Sequence, residues 1–192
     1  MASEKHEVIF AGMGGMGALT AGQLLAQAAF SSYSHVTWYP NITTARRNAP
    51  ADCIVIFSQE PIASPLIYQV ETVVAIESSQ MKNFEQRVKS GGFLLVETAG
   101  MKEDPQREDI RVIKIDGVGT ALREGSTRGA NLVLLGAYIG ITGAIPATLI
   151  EEELEKRFDT RPEIMALNLQ SFRVGMKLVE NNEYALSPSA KN

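Results

Sequence analysis

The amino-acid sequence predicts an α/β fold: a three-layer sandwich around a mostly parallel sheet, followed by a helical C-terminal third. Three observations carry this expectation. Short apolar runs rich in β-branched residues alternate with helix-forming stretches as far as Ile115. A glycine turn, Gly12-Met13-Gly14-Gly15-Met16-Gly17, joins the first apolar run to the first helix-forming stretch. Beyond Ile115 the strand signals cease, and helices opened by proline take over.

Taken in order, Val8-Ile9-Phe10-Ala11 reads as a strand and Leu19 to Phe30 as a helix ending at Ser31-Ser32. His35 to Tyr39 is a second strand that stops at Pro40. The stretch 40–51, rich in Pro, Asn, Thr and Arg, is too polar for a core and long for a connection, the kind of loop that often carries function. Cys53 to Ser58 is a continuous apolar run, suited to a strand buried on both faces, and the prolines of Ser58–Pro65 end it. Thr72 to Ile76 is another buried strand. Ser79 is placed to cap a helix whose apolar face is Met81, Phe84 and Val88, and Gly91-Gly92 to stop it. Phe93–Val96 and Ile110–Ile115 are two further strands, with a possible antiparallel member here because no crossover helix separates them. Helices over Ala130–Ile141, Pro146–Phe158 and Pro162–Val179 complete a single domain spanning 1–192, with a mobile tail at 185–192.

Bulk properties narrow the function. The chain has 192 residues, 45% of them hydrophobic, enough for one well-buried core. A net charge of -4 argues against a nucleic-acid surface. Cys53 is the single cysteine, so neither an intrachain disulfide nor an iron-sulfur cluster held by this chain alone is possible; a cytoplasmic, reducing compartment fits. The polar start of the chain does not read as a signal peptide, and the apolar stretch at 132–145 falls short of the roughly 20 residues of a membrane span, so it reads as a buried helix. His6 and His35 stand without a second ligand at useful spacing, which argues against a metal site. Neither G-x-S-x-G nor a P-loop is present.

The glycine turn is the chemical focus. Gly12, Gly14 and Gly17 satisfy G-x-G-x-x-G, and the unpaired amides at the start of the following helix would face a phosphate or carboxylate. A dinucleotide site also wants an acidic residue about 20 positions on. None stands between Glu7 and Asp52, so an anion reading survives and NAD is demoted. Arg46-Arg47 could clamp an anion from the long loop, or be a solvated or intersubunit pair. Asn131 could cap its own helix or anchor a neighbouring loop. The carboxyl edge of the sheet is expected to collect the glycine turn, the 40–51 loop and the Ser58–Pro65 turn.

Four segments in this order resemble the gamma subunit of the 2-oxoacid:ferredoxin oxidoreductases, the pyruvate, 2-oxoisovalerate and 2-oxoglutarate synthases. They are Val8–Gly17 with Leu19, Ala21 and Gly22; Ala51–Ser58 continuing through Glu60-Pro61-Ile62 to Pro65; Asn131-Leu132-Val133-Leu134-Leu135-Gly136-Ala137; and Ile145-Pro146. The resemblance implies a subunit of a larger enzyme that converts a 2-oxoacid to an acyl-CoA while reducing ferredoxin. It implies alpha and beta subunits holding thiamine diphosphate and Mg2+, a ferredoxin-like delta subunit with [4Fe-4S] clusters, no cofactor held by this chain alone, and no membrane or nucleic acid. The gamma share would be structural and on the coenzyme A side, through Gly12, Gly14, Gly15, Gly17, Arg47 and Asn131. The Cys53 segment looks closer to the 2-oxoglutarate and 2-oxoisovalerate branch than to the pyruvate branch. Where the family typically reads Arg-Gly-Gly, Arg47 is followed by Asn48-Ala49-Pro50, and Pro50 pushes Ala49 towards extended backbone. The alternatives are a stand-alone nucleotide or coenzyme A module, and the equivalent subunit of indolepyruvate oxidoreductase.

Overall fold

The computed structural model describes residues 5–42 and 49–180. The tail at 185–192 lies outside them. Six strands form one sheet: β1 (Lys5–Met13), β2 (His35–Ile42), β3 (Pro50–Ser58), β4 (Val70–Ala75), β5 (Val88–Glu97) and β6 (Arg111–Ile115). The helices are α1 (Ala18–Ala29), α2 (Met81–Phe84), α3 (Gly117–Arg123), α4 (Ala130–Thr142), α5 (Ala147–Phe158) and α6 (Pro162–Glu180).

The strand order is β2-β3-β1-β4-β5-β6, and β3 alone runs against the rest. The antiparallel member is therefore β3, not one of the pair β5 and β6, which are parallel. Chain length explains both. Only residues 43–49 separate β2 from β3, and so short a link reverses the chain, whereas residues 98–110 supply the dozen or so that a parallel crossover needs even without a helix. Pro40 lies within β2 rather than ending it, which an edge strand tolerates because the missing N–H is not needed for a second neighbour.

Reversal of β3 also corrects the expected gathering of loops. Ser58 pairs with Lys5 and His35, so the Ser58–Pro65 turn lies at the edge opposite the glycine turn. Pro50 pairs with Met13, and the Gly14 amide donates to the Ala49 carbonyl at 2.8 Å, so the end of the 40–51 stretch does meet that turn.

Both faces of the sheet are buried, as the unbroken apolar runs require. Val8, Phe10, Val55, Phe57, Val74 and Leu95 face α1 and α3–α6, whereas Ile9, Ala11, Ile54, Ile56, Val73 and Leu94 face Met81, Phe84 and Ile110. The third layer is thin. The helix expected to carry Val88 is only α2 between two 3-10 turns, and Val88 opens β5, with Gly91-Gly92 inside that strand at a register shift. Nor does Ser79 cap it: Glu77 accepts from the Ser79 amide.

α4 is apolar all round and is buried between the sheet and α6, the expected place for such a helix. Tyr138 of α4 fills the centre, edge-on to Phe10. Cys53 lies fully buried against α1, its thiol donating to the Ala18 carbonyl, and burial pushes its pKa up to about 12. The thiol thus stays protonated at neutral pH and out of reach. The folded chain is expected not to react with a thiol-specific chromogenic reagent, and one equivalent should react promptly on denaturation. Prompt reaction of the native chain would refute this burial.

Candidate functional site

The carboxyl edge of the parallel strands carries the glycine turn, the start of α3 and the start of α4. Gly17 is the N-cap of α1, at φ 86° and ψ 15°, a conformation that favours glycine. No side chain caps α1, and no acidic residue stands in its first turn. Its first amides therefore face outward without an intrahelical acceptor.

Asn131 does not cap its own helix, whose N-cap is Gly129 with no side-chain bond. Its Nδ2 donates instead to the Gly17 carbonyl at 3.3 Å, across 114 residues of chain. A Cβ added at Gly17 would lie 2.5 Å from that Nδ2. Asn131 and Gly17 thus fit one another, and the amide ties the start of α4 to the start of α1. The residue is 6% exposed.

Beside this junction opens a cavity of about 500 Å³. Gly15, Met16, Gly17 and Thr20 form one wall; Thr127, Arg128, Ala130 and Asn131 form another; Phe158, Arg161, Ile164 and Asn168 close it from the α5–α6 corner. Of the residues singled out from sequence, Gly15, Gly17 and Asn131 line this cavity. Gly12 is buried inside β1, with ordinary space towards Ala18 and Ile76, and Gly14 does not line the cavity. Arg47 lies outside the described residues. Sequence reasoning missed Arg128 and Arg161, each in a short polar connection immediately before a helix.

Glu97, at the end of β5, is 2% exposed and accepts from the amides of Ala99 at 2.8 Å and Val118 at 3.1 Å, so it caps the start of α3 from across the edge. Burial raises its pKa more than these bonds lower it. A raised folded pKa favours the protonated chain: this contribution to stability is complete below the unfolded pKa and is lost as pH rises through the folded one. As pH rises from the ordinary glutamate range, about pH 4, wild type should therefore lose stability relative to Glu97→Gln. Thermal melts of the two across that range test it, and parallel curves would refute it.

Among the described residues no cluster of three or more His, Cys, Asp or Glu could hold a metal ion, and no helix is long and apolar enough to cross a membrane. The sequence profile of the pyruvate ferredoxin/flavodoxin oxidoreductase family matches residues 7–178. The chain is 30% identical over 177 residues to the ketoisovalerate oxidoreductase subunit VorA of Methanothermobacter marburgensis, covering 91% of this chain and 37% of that protein. It thus spans little more than a third of that relative. It is 29% identical to the pyruvate/ketoisovalerate oxidoreductases common subunit gamma of Thermococcus kodakarensis, over 79% of this chain and 86% of that one. The fold matches 2-oxoglutarate:ferredoxin oxidoreductase from Magnetococcus marinus with a TM-score of 0.85 at 22% identity, covering 94% of this chain and 32% of that chain. The matched residues run from within β1 to the last turn of α6 and so take in the whole sheet and the cavity; the chain belongs to the pyruvate ferredoxin/flavodoxin oxidoreductase family.

Proposed function

We propose that this chain is the gamma subunit of a multi-subunit 2-oxoacid:ferredoxin oxidoreductase, and that its glycine corner faces the coenzyme A side of the assembled enzyme. The observation that carries this reading is the family match across the whole fold, together with a cavity at the one junction where glycine turn and Asn131 meet. The enzyme decarboxylates a 2-oxoacid, passes electrons to ferredoxin and forms an acyl-CoA, with coenzyme A supplying the thiol that accepts the acyl group. The Magnetococcus marinus structure of the same fold has 2-oxoglutarate, coenzyme A and succinyl-CoA bound, which supports placing this fold in such an enzyme.

The division of labour follows from what this chain holds. A [4Fe-4S] cluster takes four thiolates, and the one thiol here is buried against α1, so clusters belong to other chains. Thiamine diphosphate and Mg2+ are likewise assigned to the alpha and beta subunits. Gly15, Gly17, Asn131 and the amides opening α1 are what this chain offers to coenzyme A. The substrate is assigned to the 2-oxoisovalerate or 2-oxoglutarate class; the 30% identical relative named for ketoisovalerate supports the former.

Co-expression with thiamine-binding and cluster-binding chains from the same organism tests the reading. A stable complex that reduces a dye when given 2-oxoacid and coenzyme A is the expected result, with 2-oxoisovalerate or 2-oxoglutarate preferred over pyruvate in kcat/KM. Failure to associate, or turnover by the solitary chain, would overturn it. Indolepyruvate as the preferred substrate would move the chain to that related enzyme.

A further inference from the structure

Three of the seven large hydrophobic side chains that stand exposed among the described residues meet in one place. Tyr39 of β2 is 41% exposed, and Leu66 and Tyr68, in the connection between β3 and β4, are 65% and 69% exposed. They rim a groove of about 440 Å³ on the thin third layer, on the opposite face of the sheet from α1 and α4. The outward pose of Leu66 and Tyr68 is held in place. Arg87 donates from Nε to the Tyr68 carbonyl at 2.6 Å and from Nη2 to the Ile67 carbonyl at 3.0 Å, and its guanidinium lies 5.4 Å from the centre of the Tyr68 ring. Ile67 packs on the sheet, so its two neighbours are turned to solvent. Clustered exposed hydrophobic side chains mark interaction surfaces, and tyrosine is enriched there.

The floor of the groove defines the chemistry of the partner. Asp52 of β3 lines it although only 7% exposed, and Oδ1 accepts from Nδ2 of Asn41 at 3.2 Å. Among the described residues nothing bonds its other oxygen, which opens on the groove, and no cation pairs with it. Arg87, the one cation beside the groove, is committed to its two carbonyls. Burial raises the Asp52 pKa more than the Asn41 bond and the charge of Arg87 lower it. A buried carboxylate with half of its hydrogen bonding unmet is costly until a cation completes it, and tyrosine rings also attract cations.

We infer that this groove is a docking socket for a partner chain of the assembled enzyme, which inserts a basic side chain beside Tyr39 and Tyr68 to reach the open oxygen of Asp52 and covers Leu66 with apolar surface. This rests on the gamma-subunit reading and adds a second functional surface, on the far face of the sheet from the glycine corner. The longer relatives agree with it. This fold makes up about a third of them, so there it sits beside further polypeptide of its own chain, and in the present protein the matching contact is made between chains.

Titration of the full chain against the purified thiamine-binding and cluster-binding chains tests the assignment. Asp52→Asn keeps the shape of the side chain and removes its charge, while Leu66→Ser and Tyr68→Ala alter exposed positions, so circular dichroism of all three should match wild type. Each should weaken association by about tenfold or more. Tyr68→benzoylphenylalanine should photo-cross-link to one of those chains, within a peptide that carries an arginine or lysine. Replacing that basic residue with Gln should cost as much as Asp52→Asn, and the two changes together little more. Association of Asp52→Asn within about twofold of wild type, or additive losses, overturns the proposal. So does dimerisation of the isolated chain that Tyr68→Ala abolishes, which would seat a second copy in the groove. Calorimetric binding of arginine or spermidine by wild type and not by Asp52→Asn, with association unchanged, would make the groove a small-molecule site and also overturns it. Should wild type itself fail to associate, the gamma-subunit reading falls too; should it associate as tightly with all three variants, only the socket falls.

Discussion

Gly175→Ala is expected to destabilise the chain, although alanine is the better helix former. In α6 the gain in helix propensity would be about 0.8–1 kcal/mol if nothing else changed. Packing decides otherwise. A Cβ on Gly175 would lie 2.0 Å from the carbonyl oxygen of Val133 in α4, and one on Gly136 would lie 2.1 Å from that of Phe172 in α6. Both obstacles are backbone, so no side chain can swing aside and the two helices must part. Overpacking commonly costs about 1–3 kcal/mol, and a reciprocal backbone collision belongs at or above the upper end. A net loss of about 2 kcal/mol or more, lowering Tm by about 4–8 °C, is expected for either substitution. Because α6 and the turn before it carry Arg161, Ile164 and Asn168, which line the cavity, coenzyme A affinity of the assembled enzyme should fall with stability. A Tm equal to or above wild type would mean that α4 and α6 do not approach as closely as described.

Gly17→Ala should be the most damaging single change at the glycine turn. Its backbone, at φ 86°, costs a residue with a side chain about 1–3 kcal/mol. The new methyl would also displace the Asn131 amide and break its bond to the Gly17 carbonyl, adding about 1 kcal/mol. Gly15 has a similar φ of 93° but open space around it, so Gly15→Ala should pay only the backbone cost. The contrast isolates the contact with Asn131. In a double-mutant cycle, Asn131→Ala should restore part of the stability lost in Gly17→Ala, because the methyl then has room. Gly15→Val should show the opposite balance, with a larger loss of coenzyme A binding or acyl-CoA formation than of stability, since its side chain would enter the cavity. Denaturant melts and coenzyme A titration of these five variants, the double mutant included, read both quantities. Additive losses at Gly17 and Asn131 would remove the contact from the explanation.

Much of this architecture is legible in local sequence because local sequence causes it. Gly12–Gly17 between an apolar run and a helix former ends β1 and starts α1, and an apolar stretch interrupted by Gly136 and Gly140 becomes α4 buried against α6. The same approach misjudged 79–88, where Met81, Phe84 and Val88 share helical spacing. Val88 is taken instead by pairing opposite Val70, since a short apolar spacing cannot distinguish a helix face from the entry to a strand. One signal for the missed residues was present. Arg128 stands before the start of α4, where the dipole disfavours a cation and neither an acidic first turn nor a side-chain cap offsets it, and such placement is a local inconsistency that points to function.

By itself the sequence determined the alternation of strands and helices, the glycine turn as the entrance to α1, the buried helix and the resemblance to a family. Those depend on backbone propensity, hydrophobic period and turn chemistry, which act within a few residues. Only the tertiary structure decided that β3 runs against its neighbours, that the Ser58–Pro65 turn lies at the far edge, and that Asn131 meets Gly17 rather than capping α4. It also brought two arginines from separate connections to one cavity. These outcomes depend on which surfaces pack together across a hundred residues or more, as Asn131 and Gly17 do, and at that separation neither periodicity nor propensity has any hold.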